Sequence, residues 1–438
     1  MNATHDAPDG EPKRQSGWRG AIRGNVLMMG LVSLFTDFSS EMIYPLLPVF
    51  FSGLAIAAGV PADRPELIAG WVAFYVGLME GMAETTASLL KIFSGRISDA
   101  LGKRKILAVI GYGISTVCRP VMAVATMGWH LVALRFLDRI GKGVRTSPRD
   151  ALISDSVDKG SRGLAFSFHR AMDHLGAILG PITAIVILNV FLGYTLWRGG
   201  GETVATADEM HALRWLFAIA LIPGLAAMVA LVGKVREIRP TVSAATGERG
   251  GVMRQLPGRF YAFVGIVTLF ALGNSSDLFL VLYGKTKFGL RIEALIGLWI
   301  ALHVSKVIFS FPGGMLSDRF GRRPLIVAGW AVYALAYLGF AFVGEAWQFW
   351  ALIGVYGIYY GLTEGAEKAL VADFVSSEHR GTAYGFYHGA IGLAALPASL
   401  LFGVFWSAIG PRAAFSIGAG LAGLATLLIA FLVSAWRP

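Results

Sequence analysis

Six ionisable residues, Arg135, Asp138, Arg139, Lys142, Arg145 and Arg149, stand at helical spacing in one stretch of the chain. At 3.6 residues per turn they fall within an arc of about 120°. The sequence on either side is apolar enough to cross a membrane. A charge placed at mid-bilayer costs roughly 2.5–3.5 kcal/mol on insertion scales. Such a face cannot look at lipid. It must meet water, a partner charge or a ligand, and guanidinium and ammonium groups are suited to carboxylate or phosphate.

The opposite charge is also available at helical spacing. Asp37 and Glu41 lie one turn apart, as do Glu80 and Glu84. His169 and Asp173, and Arg170 and His174, are each four residues apart. Further polar groups are Asn274, Asp277, His303, Lys306, Glu364, Glu367, Lys368 and His388. Buried charges must be paired or solvated, so part of this set is structural. The remainder predicts a cavity that binds an organic anion or a zwitterion, with Arg139, Lys142, Arg145, Arg170, His174, Asn274 and His303 as binding candidates. Asp37, Glu41, Glu80 and Asp173 are the candidates for taking up and releasing a proton. A divalent metal held by Asp37, Glu41, His169, Asp173, His174 and His303 is the alternative, but the nearby bases argue against a cation, and no resident metal or cofactor is expected.

The elements that position these groups follow from composition. Of 438 residues, 55% are hydrophobic and 15% charged, the balance of a polytopic membrane protein. One cysteine, Cys118, excludes an intrachain disulfide and a thiolate metal site. The net charge of +10 reads as basic loops at a membrane surface, with no nucleic acid as partner. No phosphate-binding loop, serine elbow or cysteine pair is present, so an enzyme is not expected. No cleavable signal peptide is expected either, because the tail through Arg23 is polar and the first apolar run continues long enough to span.

Twelve apolar segments predict twelve membrane helices near 25–54, 69–94, 105–126, 130–153, 163–192, 211–233, 259–283, 293–313, 324–343, 347–371, 382–406 and 412–435. The fourth, fifth, tenth and eleventh read as weaker, and Pro148 is expected to break the turn between Arg145 and Arg149. Lys and Arg gather before the first segment and in the loops after the second, sixth and eighth, which predicts both termini in the cytoplasm of a bacterial inner membrane. The expected organisation is a tail at 1–24, a six-helix bundle at 25–233, a linker at 234–258 and a second six-helix bundle at 259–438. The halves repeat: GLVSLF at 30–35 and GIVTLF at 265–270, Ser39-Ser40-Glu41 and Ser275-Ser276-Asp277, GRISDALGKRK at 95–105 and GMLSDRFGRRP at 314–324, and ALISDSVDKGSRGLAFSF at 151–168 and ALVADFVSSEHRGTAYGF at 369–386.

The 95–105 stretch and its copy resemble the loop signature of the major facilitator superfamily, and the likeness covers nearly the whole chain. It implies an all-α fold of twelve transmembrane helices in two pseudo-symmetric bundles. It also implies a monomeric secondary transporter that moves a small molecule or ion by alternating access, with proton coupling. In that reading Gly95, Asp99, Arg104, Asp318 and Arg322 hold the cytoplasmic gate. Arg149-Asp150 and Glu367-Lys368, equivalent in the repeat with reversed charge order, are expected to form a complementary lock between the halves. The fourth helix is similar to the family pattern through Arg135, Gly141 and Gly143, and departs from it at Arg139 and Lys142. Gly176, Gly180 and Pro181 look like the antiporter motif of the family, without its final glycine pair, which favours export over uptake. A multidrug-type exporter and a non-transporting membrane receptor are the other readings.

Overall fold

The computed structural model describes residues 18–193, 205–238, 256–290 and 292–432. Residues 1–17 of the expected tail and 239–255 of the expected linker lie outside the described residues. All regular structure among the described residues is helical. The first span is a pair of helices, Asn25–Glu41 and Leu47–Ala57, joined through a 3-10 turn at Tyr44–Leu46. The second to fifth are Pro65–Leu101, Arg104–Val121, Gly128–Asp155 and Arg162–Leu192. The sixth is Ala207–Ile219 continued by Leu221–Lys234, and the seventh is Gly258–Gly273 followed by Leu278–Phe288. The eighth to twelfth are Ile292–Phe320, Arg322–Phe342, Ala346–Phe374, Arg380–Ala408 and Pro411–Leu432.

Ten of these spans are long and apolar enough to cross a membrane on their own composition, and the fourth and tenth are not. Charges are spread along the fourth, while Gly, Trp, Tyr and a charged last third dilute the tenth. The fifth and eleventh differ from expectation and are strongly apolar. Their polar residues are confined to one half of each helix, which leaves the runs after His174 and after His388 uncharged. The turn at Pro148 also differs: the fourth helix is continuous from Gly128 to Asp155. A proline inside a packed membrane helix is tolerated where neighbours surround the freed carbonyl, and this turn is buried on all sides.

The real interruptions come elsewhere, and they repeat. The first span breaks after Glu41, where Pro45 and Pro48 withhold backbone N–H groups. The seventh breaks between Asn274, whose backbone is extended, and Asp277. Both breaks coincide with the duplicated Ser-Ser-acid tripeptide.

Lipid tails offer no hydrophobic gain to helix pairing, so the bundles are held by close backbone approach and by buried polar bonds. Large apolar residues such as Val186, Val190, Val229, Leu335 and Leu400 stay exposed on the outer surface, as a lipid-facing belt requires. Inside, the third and fourth helices cross at Gly111 and Gly141, where a side chain on either glycine would meet the carbonyl oxygen of the other. The fifth helix lies on the first in the same way. A Cβ on Gly176 would strike the Leu34 carbonyl, and one on Gly180 would strike Glu41. The glycines of the expected antiporter motif are therefore packing positions in this fold. Gly111→Val should force the third and fourth helices apart. Overpacking of this kind costs about 1–3 kcal/mol, so the variant's unfolding midpoint in detergent should fall by several degrees, whereas Gly113→Val, where a Cβ meets only the end of the Met228 side chain at an ordinary 3.7 Å, should leave it nearly unchanged.

Candidate functional site

Much of the ionic sequence is consumed inside each half. In the first bundle Asp138 is buried and accepts the Tyr44 hydroxyl at 2.7 Å, with Arg119, Arg135 and Arg139 at 3.5, 3.7 and 3.8 Å. Arg135 also pairs with Glu80 at 3.0 Å and covers the Tyr44 ring at 3.6 Å. Arg139 and Glu80, candidates for binding and proton coupling from their spacing, therefore belong to this knot and stand outside the cavity lining. In the second bundle Asp277 accepts from Tyr356 at 2.8 Å, from Tyr360 at 3.1 Å and from Lys306 at 3.2 Å.

Between the halves lies a cavity of about 380 Å³. The first bundle contributes Asp37 from the first span, Lys142, Arg145 and Arg149 from the fourth, and Arg170 and Asp173 from the fifth. The second contributes Asn274, Glu364, Glu367, Lys368 and His388. The structure thus brings together Lys142, Arg145, Arg170 and Asn274 of the binding candidates and Asp37 and Asp173 of the proton candidates, and leaves Arg139, His174, His303, Glu41 and Glu80 outside the lining. It adds Lys91, Tyr359, Tyr360 and Tyr387, which sequence reasoning missed. Lys91 had a signal, a lone base late in an apolar helix. The tyrosines had none, because nothing in a single chain separates a cavity tyrosine from a core one.

The carboxylates of this cavity are mostly engaged. Asp173 accepts Arg170 at 2.9 Å and the Ser33 hydroxyl. Glu364 takes His174 at 3.1 Å and lies 3.6 Å from Arg170, which ties the tenth helix to the fifth. Glu367 accepts Trp330 at 2.8 Å and Tyr387 at 2.6 Å, and so is held within its own half. Asp37 is different. Among the described residues its carboxylate receives no hydrogen bond or ion pair. Glu41 sits one turn further along, against the fifth helix at Gly180.

The histidines do not form the alternative metal site. His303 packs edge-on against His174 at 5.4 Å and faces the Trp299 carbonyl at 3.0 Å. His169 is fully buried, with Asp173 at 3.8 Å and no hydrogen bond to either ring nitrogen. Among the described residues no three His, Cys, Asp or Glu side chains gather as a metal site, so the set Asp37, Glu41, His169, Asp173, His174 and His303 is not assembled.

Below the cavity, toward the base-rich loops, the halves are bridged twice in the same manner. Asp99, at the end of the second helix, accepts the backbone N–H groups of Gly381 at 3.0 Å and Thr382 at 2.6 Å, which open the eleventh helix. Asp318, at the end of the eighth, accepts those of Gly163 at 2.9 Å and Leu164 at 2.8 Å, which open the fifth. Each carboxylate meets unsatisfied N–H groups and the positive end of a helix dipole. Gly95 lies against the Gly381 backbone and allows the contact. Beside these caps, Asp155 joins Arg104 of its own half to Arg380 of the other, and Asp373 joins Arg322 to Arg162 at 2.7 Å. Arg104 and Arg322 play matching parts although the alignment of the repeat sets Lys103 opposite Arg322, because the third and ninth helices start at these arginines. Asp155, Arg162, Asp373 and Arg380 were also missed. Their signal was an aspartate followed seven residues later by an arginine in both copies of the repeat. Of the expected lock, Lys368 and Asp150 are paired at 3.0 Å, while Arg149 turns to its neighbour Asp150 at 2.8 Å and does not reach Glu367.

Two six-helix halves around a polar cavity, closed at one end by paired caps, define a membrane transporter. The family model of the Major Facilitator Superfamily matches residues 29–305 and 294–438, and the chain belongs to that superfamily; it is a multi-pass membrane transporter and not an enzyme. It is 31% identical over 413 residues to an uncharacterised MFS-type transporter of Methanocaldococcus jannaschii, covering 93% of this chain and 94% of the relative. It is 26% identical over 401 residues to the class G tetracycline resistance protein of Vibrio anguillarum, covering 88% and 91%. Its fold is similar to the crystal structure of the human organic anion transporter MFSD10, with a TM-score of 0.73 and 17% identity, covering 92% of this chain and 98% of that one.

The caps make a local prediction. Loss of a charged helix cap costs about 1 kcal/mol, or roughly a fivefold change in local opening. Asp318→Ala should therefore speed amide hydrogen exchange at Gly163 and Leu164, and Asp99→Ala should do so at Gly381 and Thr382, each without touching the other pair.

Proposed function

We propose that this transporter carries an organic anion, or a zwitterion through its anionic group, by alternating access between the two bundles. One observation supports this above all. Six cationic side chains line the cavity, Lys91, Lys142, Arg145, Arg149, Arg170 and Lys368, against four carboxylates, three of which are already bonded to the protein. The excess is positive, and it faces a space large enough for a small solute. In this reading the bundles comprise 25–233 and 259–438, joined by 234–258, with the basic loops and both termini in the cytoplasm of a bacterial inner membrane. The paired caps are then the cytoplasmic gate in its closed form, with the cavity served from the outside.

Asp37 is the proposed proton carrier. It lines the cavity without a bonded partner, so its charge is compensated only by water or by more distant bases. Protonation there changes the balance of the fourth-helix bases and so the relative stability of the two open states. Export is favoured by the full-length likeness to the tetracycline resistance protein. The same likeness, with Tyr359, Tyr360 and Tyr387 on the cavity wall, supports a second reading in which the solute is an amphipathic drug.

Reconstituted flux tests both. Asp37→Asn should lose transport driven by a pH gradient yet retain exchange of labelled for unlabelled anion. Lys142→Ala combined with Arg145→Ala should raise the half-saturation concentration about tenfold or more, as loss of a charge-assisted hydrogen bond worth about 1.5–3 kcal/mol implies. Gradient-driven flux of a neutral or cationic drug, unaffected by the double variant and not inhibited by any anion, would overturn the anion reading in favour of the second.

A further inference from the structure

Resting on the anion reading, we infer that Asp150 is an internal substitute for the substrate's anionic group, and that the substrate opens the base of the cavity by competing with Asp150 for the same cations.

The argument starts from position. In the repeat that aligns 151–168 with 369–386, the residue equivalent to Asp150 is Lys368. These two equivalents meet each other, at 3.0 Å, from the fourth and tenth helices. Two related halves place equivalent residues in mutual contact only at the axis that relates them. The pair therefore sits on that axis, at the foot of the cavity, where separation of the halves must pass.

Asp150 is completely buried and does not line the cavity, but the three groups that hold it do. One oxygen takes Arg149 Nε at 2.8 Å, and the other takes His388 Nε2 at 2.7 Å and faces Lys368 Nζ at 3.0 Å. Two of these three partners, Lys368 and His388, come from the other half. Among the described residues Lys368 Nζ has this ion pair but no well-aligned hydrogen-bond acceptor, although an ammonium carries three donors. Its charge is compensated and its donors are not. An anion entering the cavity offers the missing acceptors to the same ammonium. As Lys368, His388 and Arg149 turn to it, Asp150 loses both of the groups that bind it across the axis. A neutral solute of the same shape offers no such exchange. Binding and release of the bridge are thereby one event, and a ligand shifts a two-state equilibrium only through such a difference in affinity between states. The seam beneath, built of caps and Asp–Arg pairs, contains no cavity-lining base and is insulated from the solute.

The test uses the full-length protein in nanodiscs with Cys118→Ser and a single reporter, Ser317→Cys, buried in the seam beside Gly163. Benzoate and uncharged benzamide serve as matched probes, with thermal shift reporting binding and maleimide labelling reporting opening. Benzoate should stabilise the parent protein and accelerate labelling, and benzamide should do neither. Asp150→Asn should label about tenfold faster without any ligand, within the usual range of coupling between sites, bind benzoate more tightly, and gain no further labelling from it. Lys368→Met, which removes the bridge from the opposite side, should also label fast, and it serves if the asparagine variant proves too unstable to purify. Slow labelling in both variants, with thermal unfolding still cooperative, overturns the bridge. Binding of benzoate to the parent protein without any change in labelling overturns the competition alone. No stabilisation by benzoate or by inorganic phosphate, with both variants still fast, overturns the anion reading beneath it and leaves the bridge standing.

Discussion

A buried charge in hydrocarbon must find a partner or water, and the architecture of this chain is an answer to that requirement. Each half disposes of most of its charges privately. The Asp138 carboxylate gathers three guanidiniums in the first bundle, and Asp277 gathers a lysine and two tyrosines in the second. What remains is shared. Groups that cannot be satisfied within one half are satisfied across the gap, as Glu364 is by His174, or are left to face the cavity, as Asp37 is. Private pairs make each bundle a rigid body, and shared pairs make the relation between bundles adjustable.

That division also explains what could be read from the chain alone. Span number, bundle organisation and the base-rich end were legible because apolar length and loop charge act locally, and the duplicated segments made the two halves visible. The paired caps were half legible. Asp99 and Asp318 stand out in the repeated loop, while Asp155, Arg162, Asp373 and Arg380 show in the sequence only as a charge spacing shared by both copies, which does not reveal that the pairs cross between the halves. The fourth helix shows the limit. Its polar residues share one arc, yet Arg135 and Arg139 are absorbed by Tyr44 and Asp138 while Lys142, Arg145 and Arg149 reach the cavity. A helical arc fixes direction around an axis and is silent about depth, and depth decides which neighbour a base meets.

The duplicated Ser-Ser-acid tripeptide illustrates a different point. As a pattern it reads as a candidate polar site. In the fold it coincides with the place where the first and seventh helices are interrupted, and Asp277 at that place anchors the core of its own bundle. Irregular backbone at membrane depth is tolerated where protein or a cavity surrounds it, and here the first break packs into the core of its own bundle through Met42, Ile43 and Leu46 while Asn274 at the second lines the cavity.

The contact between Asp150 and Lys368 carries a historical consequence. Were the two halves once separate copies of one gene product, paired about a twofold axis, the residue on that axis would have faced its own image. Two aspartates or two lysines there would have repelled each other in a medium with little water to screen them. A salt bridge at that point became available only once the two copies were encoded separately and could mutate independently. On that history the bridge dates from after the duplication, and it gives the divergence of the two copies a physical reason.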